Sequence, residues 1–183
     1  FTITATDASG CTAIKSFELQ LSQIPITVTA NASQSKVYGE NDPTFTFTAS
    51  PNLLPGDSFT GALDRVSGEN VSSYKITQGS LSAGDKYLII YNSANFSITQ
   101  KPITVTAAAK SKTYGDADPV LTYTFAPALV GTDTFNGDLT RSPGENVETY
   151  AINQGTLALN GNYTLTYITA DLTIGAKTIT VTA

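Results

Sequence analysis

The pentapeptide Ile-Thr-Val-Thr-Ala occurs three times, at 26–30, 103–107 and 179–183, and the stretches between the copies constrain the chain more than any single residue does. Residues 38–107 can be laid on 114–183 without a gap, about 76 positions apart and with nearly half of them identical, which is the mark of tandem repeats. The spacing divides the chain into an opening segment (1–23), one repeat over 24–100, a second over 101–176 and, at 177–183, the first strand of a third. A piece of a longer protein is therefore expected. Units of this size lie near the lower limit for a self-sufficient core, so contacts between neighbouring repeats should matter.

Inside each unit the apolar residues alternate with Thr, the period-two pattern of a half-buried strand. Ile26, Val28 and Ala30 oppose Thr27 and Thr29; Phe45 and Phe47 oppose Thr46 and Thr48; in the second unit Leu121, Tyr123 and Phe125 oppose Thr122 and Thr124. Tyr38-Gly39-Glu40-Asn41-Asp42-Pro43 and Tyr114-Gly115-Asp116-Ala117-Asp118-Pro119 gather turn formers. Asp57-Ser58-Phe59 and Asp133-Thr134-Phe135 admit two readings. They could cap a short helix with Phe59/Leu63 or Phe135/Leu139 on one face, or lie in strand or irregular chain, which Gly61 and Gly137 favour.

A polar loop containing Arg65, Glu69 and Asn70, or Arg141, Glu145 and Asn146, leads to a strand through Tyr74 and Ile76, or Tyr150 and Ile152. Tyr87, Ile89 and Tyr91, returning through Phe96 and Ile98, predict a closing hairpin, as do Tyr163, Leu165 and Tyr167 with Leu172 and Ile174. The fold class is all-β: tandem sandwich-like domains in an elongated array, with a β-grasp-like sheet carrying one short helix as the alternative. Only Thr99-Gln100-Lys101-Pro102 separate the units, with no Gly/Ser-rich spacer, so a semi-rigid rod is expected. The buried phase passes from even (Phe96, Ile98) to odd (Ile103, Val105), so the faces are reset at the junction.

Composition excludes several functions. A formal charge of −5 with ten Lys+Arg supplies no cationic stripe for nucleic acid. With no His and one Cys, triads built on His are impossible within the chain, and an enzyme is not expected. No apolar run is long enough to span a membrane. Asp116 and Asp118 are candidate calcium ligands, two carboxylates at alternate positions. The recurring Lys36/Lys112, Lys101/Lys177, Glu69/Glu145 and Asn70/Asn146 admit a lysine–asparagine crosslink, and Arg65–Glu69 and Arg141–Glu145 admit loop salt bridges. Tyr87, Tyr91, Tyr163 and Tyr167 would stack on surface glycans if exposed and form core if not. Residues 179–183 could add as a strand to another molecule, giving self-association.

In the opening segment Phe1, Ile3 and Ala5, a turn at Asp7-Ala8-Ser9-Gly10, and Ile14, Phe17, Leu19 and Leu21 predict a hairpin, which alone is marginal and so would close an upstream β-domain. Cys11 is then either half of a disulfide with an upstream partner or a small buried thiol. The run Thr4–Thr12 resembles the end of immunoglobulin-like repeats of large bacterial surface proteins, including the SprB type. Tyr38-Gly39, Asp42-Pro43, Tyr74-Lys75-Ile76 and Tyr87 leading to Ile98, with their counterparts Tyr114-Gly115, Asp118-Pro119, Tyr150-Ala151-Ile152 and Tyr163 leading to Ile174, resemble the MBG domain of the Tyr-Gly type. That resemblance implies a secreted protein on the bacterial cell surface, with an adhesin stalk as its role. A self-assembling filament module and a carbohydrate-binding repeat are the alternatives.

Overall fold

The computed structural model describes residues 2–16, 18 and 22–182, and among them it contains sixteen strands and no helix. An opening hairpin pairs β1 (Thr2–Thr6) with β2 (Thr12–Ser16). The first repeat contains β3 (Ile24–Ala30), β4 (Gln34–Val37), β5 (Phe47–Ser50), β6 (Asp64–Arg65), β7 (Ser72–Thr77), β8 (Tyr87–Asn92) and β9 (Asn95–Thr99). The second repeats this plan as β10 (Lys101–Ala107), β11 (Lys110–Thr113), β12 (Tyr123–Ala126), β13 (Thr140–Arg141), β14 (Thr149–Asn153), β15 (Tyr163–Ile168) and β16 (Ala170–Gly175).

Each repeat is a small sandwich. A three-stranded sheet, β5-β3-β8 or β12-β10-β15, faces a four-stranded one, β4-β9-β7-β6 or β11-β16-β14-β13. Ile26, Val28, Ala30 and Tyr87 on one wall meet Ile76, Phe96 and Ile98 on the other in a single core. Phe96 is fully buried and receives Phe45 edge-on at 5.2 Å, a ring pair worth about 1 kcal/mol beyond its burial. Leu172 and Leu121 stand at those two positions in the second repeat, and its core divides into two smaller clusters.

The predicted closing hairpin is not formed. β8 runs parallel to β3 in one sheet while β9 runs parallel to β4 in the other, so the chain crosses the thickness of the sandwich at Ser93-Ala94. β15 and β16 do the same beside β10 and β11. Alternation specifies which face of a strand is buried but not which strand lies beside it, and this crossing supplies β3 with its second hydrogen-bonding neighbour while keeping Tyr91 and Phe96 directed into the same core.

The short helix of the β-grasp alternative is absent, and the irregular reading of the middle segment holds. Gly61 and Gly137 lie at φ 71° and 79°, outside the helical region. The Asp57 and Asp133 carboxylates accept the Tyr87 and Tyr163 hydroxyls instead of capping a helix. Thr60 and Asn136 bridge to Ser82 and Ala158.

Cys11 is exposed beside the first hairpin turn. Phe1, Phe17, Leu19 and Leu21, predicted to belong to that hairpin, lie outside the described residues. Residues 177–182 form no ladder, and Ile179 and Val181 are exposed. The same pentapeptide becomes a strand in β3 and β10 because β8 and β15, some sixty residues further along each repeat, lie alongside it.

Candidate functional site

Two arrangements gather most of the polar residues that recur in both repeats. The first is an ion quartet that links the two outer strands of each four-stranded sheet. Lys36 on β4 lies 2.7 Å from Asp42 and 2.5 Å from Glu69. Arg65, on the two-residue strand β6, forks onto the same carboxylates through Nε to Asp42 (2.5 Å) and Nη2 to Glu69 (2.5 Å), and its Nη1 donates to the carbonyls of Val66 and Gly68. The guanidinium lies 5.1 Å from the Tyr74 ring centre and 5.4 Å from that of Phe96, a geometry in which the ring faces attract the cation. Lys112, Asp118, Arg141 and Glu145 repeat the quartet, with Arg141 over Tyr150.

Two cations and two anions balance there. Burial acts to lower the Lys36 ammonium pKa, but hydrogen bonds to Asp42 and Glu69 outweigh it and leave the pKa raised. Arg65 foremost, then Lys36, holds Asp42 below the carboxylate range, against the opposing effect of burial. Arg141 and then Lys112 bring Asp118 to about 2. An amine kept protonated is not a nucleophile, so the quartet is a clamp that ties the Tyr-Gly turn to the Arg–Glu loop.

The second arrangement is the contact between the repeats. The Tyr38 hydroxyl donates to Asp133 Oδ2 at 3.0 Å, on the oxygen that also accepts the Tyr163 hydroxyl at 2.7 Å. The two tyrosine rings meet edge-on at 5.4 Å, and Tyr38 packs against the cores of both repeats. Gly39 lies at φ 85°, and a Cβ there would overlap Val130 Cγ2. Asn162 closes the other side: its Oδ1 accepts the Val71 N–H at 2.8 Å and its amide donates to Asn70 Oδ1 at 3.0 Å. Between these contacts Gln100 donates to the carbonyls of Gly161 and Tyr163, both at 3.1 Å, and the Lys101 N–H donates to Asn162 O at 3.0 Å.

The Tyr163 hydroxyl, then Tyr38 and Asn160, hold Asp133 below its ordinary range, against burial. Burial, and after it the Asp133 carboxylate, pushes Tyr163 up to about 12.

The sequence-predicted residues fall variously. Both Asp118 oxygens are engaged by Lys112 and Arg141, while Asp116 sits in the turn with its N–H donating to Thr113 O. Among the described residues no group of three or more Asp, Glu, His or Cys is disposed to hold a metal ion. The Arg–Glu loop pairs form as expected, but Lys36 faces Asp42 and Glu69, and Asn70 is turned to the next repeat. Tyr87 and Tyr163 are buried, and Tyr91 and Tyr167 donate inward to the carbonyls of Ile76 and Ile152. Periodicity and motifs do not mark Asp133 and Asn162 as junction residues. The available signal was that Asn162 differs from its counterpart Lys86, whereas Asp133 matches Asp57.

Two sandwiches of one plan, joined without a spacer and held by a defined contact, make this a tandem β-repeat protein. The family is the MBG domain (YGX type), whose model matches residues 26–97 and again 103–173, and the chain belongs to it. No curated protein and no solved structure matches the chain. Domains of this family occur in bacterial surface proteins, and the Tyr-Gly pair of the first copy is the turn seated on the second.

Proposed function

We propose that this chain is a stalk segment of a secreted bacterial surface adhesin, a semi-rigid series of repeats that holds a distal binding region away from the cell. Its role is mechanical and non-enzymatic, and its first partner is the neighbouring repeat. The observation that carries this reading is Tyr38 of one repeat seated on Asp133 and Tyr163 of the next. A stalk must resist bending where its units meet, and a flexible linker would allow bending there. Here the connection is a single residue, Gln100, between β9 and β10, and side-chain contacts close the junction on both sides of it.

Spin labels at Thr48→Cys and Thr124→Cys, equivalent exposed positions in the two repeats, test this in a Cys11→Ser background by electron–electron double resonance. A narrow distance distribution that Tyr38→Ala broadens is expected. A broad distribution with Tyr38 intact would overturn the stalk reading.

A further inference from the structure

The contact between the repeats has two halves, a plug that both repeats carry and an acceptor that the second repeat carries in full. One half is a plug made of the Tyr-Gly turn and the neighbouring Asn-Val: Tyr38, Gly39, Asn70 and Val71 in the first repeat. The other is an acceptor made of Val130, Asp133, Asn162 and Tyr163 in the second. The first repeat's plug is docked. The second repeat's plug, Tyr114, Gly115, Asn146 and Val147, has the same four residue types and stands open.

Tyr114 is 49% exposed and Val147 55%, and a Cβ at Gly115 would meet nothing within 4 Å. The open turn nevertheless has the shape of the docked one. Gly115 and Gly39 lie at φ 87° and 85°, and the N–H of Asp116, like that of Glu40, donates to the residue three before it. The tyrosine–aspartate part of the acceptor is built the same way in the first repeat, where the Tyr87 hydroxyl donates to Asp57 at 2.7 Å and takes the Leu54 N–H at 2.9 Å, as in the Tyr163, Asp133 and Val130 set, although there Lys86 stands in place of Asn162 and pairs with Asp57 at 2.9 Å. The open turn does not have to reorganise to bind, so little ordering entropy on that side opposes docking.

We infer that Tyr114-Gly115 is the docking turn for a further repeat of this kind joined after residue 183, whose aspartate accepts the Tyr114 hydroxyl and whose aliphatic residue covers Gly115. The inference rests on the stalk reading and names the partner of its open end. The spacing favours this occupant, because residues 179–183 follow Tyr114 at the distance at which 103–107 follow Tyr38. Chemistry favours it as well, since a phenol beside a residue without Cβ matches a carboxylate flanked by an aliphatic side chain. The contact consists of a few side chains, which separate molecules hold only transiently; a short covalent connection supplies an effective concentration on the order of millimolar.

The test appends residues 108–176 after residue 183, giving a three-repeat chain, with Cys11→Ser and spin labels at Thr124→Cys and its copy. The expected distribution is as narrow as that of the 48/124 pair. The narrow peak should be lost both with Tyr114→Ala and with the appended copy of Asp133 changed to Ala. A broad distribution with Tyr114 intact, or a narrow one indifferent to Tyr114→Ala, overturns the inference, and a narrow 48/124 distance in the same three-repeat chain labelled at those two positions instead leaves the stalk reading standing. Concentration-dependent association of the two-repeat chain in sedimentation velocity, abolished by Tyr114→Ala, would make a second molecule the occupant and also overturn it.

Discussion

Gly39 and Gly115 have the same backbone conformation and different surroundings, and that difference isolates the cost of the junction. An alanine at either position occupies the left-handed region at about 1–2 kcal/mol. At Gly39 it also meets Val130, whereas at Gly115 it enters open space. Gly39→Ala is therefore expected to broaden the inter-repeat distance distribution and Gly115→Ala to leave it unchanged, while both lower the denaturation midpoint of their own repeat.

The junction's charge also fixes its pH range. Asp133 is held below the ordinary carboxylate range, so its contribution is complete above the unfolded value near 4 and is lost as pH falls through the lower folded value. Tyr163, raised to about 12, contributes fully below the unfolded value of 10.0 and less as pH rises through about 12. Inter-repeat order measured from pH 2 to 12 should show a plateau between these limits. Loss of order near pH 6 would contradict the assignment, since neither group titrates there.

At the scale of elements, the quartet fastens the two-residue strands β6 and β13, which are too short to be held by backbone pairing alone. Lys36 and Arg65 side chains are each 4% exposed against 33% for Asp42. Asp42→Asn leaves two buried cations with one carboxylate between them. The expected loss is about 2 kcal/mol for the first repeat, below the range for fully buried pairs because water reaches Asp42. Asp118→Asn should cost less, because Arg141 and Asp118 are more exposed at 13% and 42%. Urea unfolding of each variant checks the order of the two effects.

All four members recur in the sequence, yet their residue types suit separate chemistries: calcium for Asp118, a crosslink for Lys36 and Lys112, loop ion pairs for Arg65 with Glu69. Only the Arg–Glu pair, four residues apart, was close enough to be read directly. Lys36 and Glu69 are brought together by tertiary pairing across 33 positions.

For the whole molecule, a rod that bends little is the expected outcome. If the junction holds, backbone amide relaxation should report one rotational correlation time for the two repeats, and Tyr38→Ala should split it into two shorter ones. Salt should have little effect on the wild-type result. Screening weakens exposed charge pairs, but the Tyr38–Tyr163 packing is apolar and its hydrogen bonds are at least partly buried.

By itself the sequence determined the number of repeats, the all-β class, the buried face of most strands and the change of phase at the junction. Each of these is carried by local periodicity or by comparison of the chain with itself. Tertiary structure alone decided that β8 and β9 belong to opposite sheets, that four recurring charges form one clamp, and that Tyr38 is docked on Asp133 and Tyr163. Nothing in the local sequence of the Tyr38 turn encodes that contact, because it is made by the repeat that follows and is a property of the assembled chain.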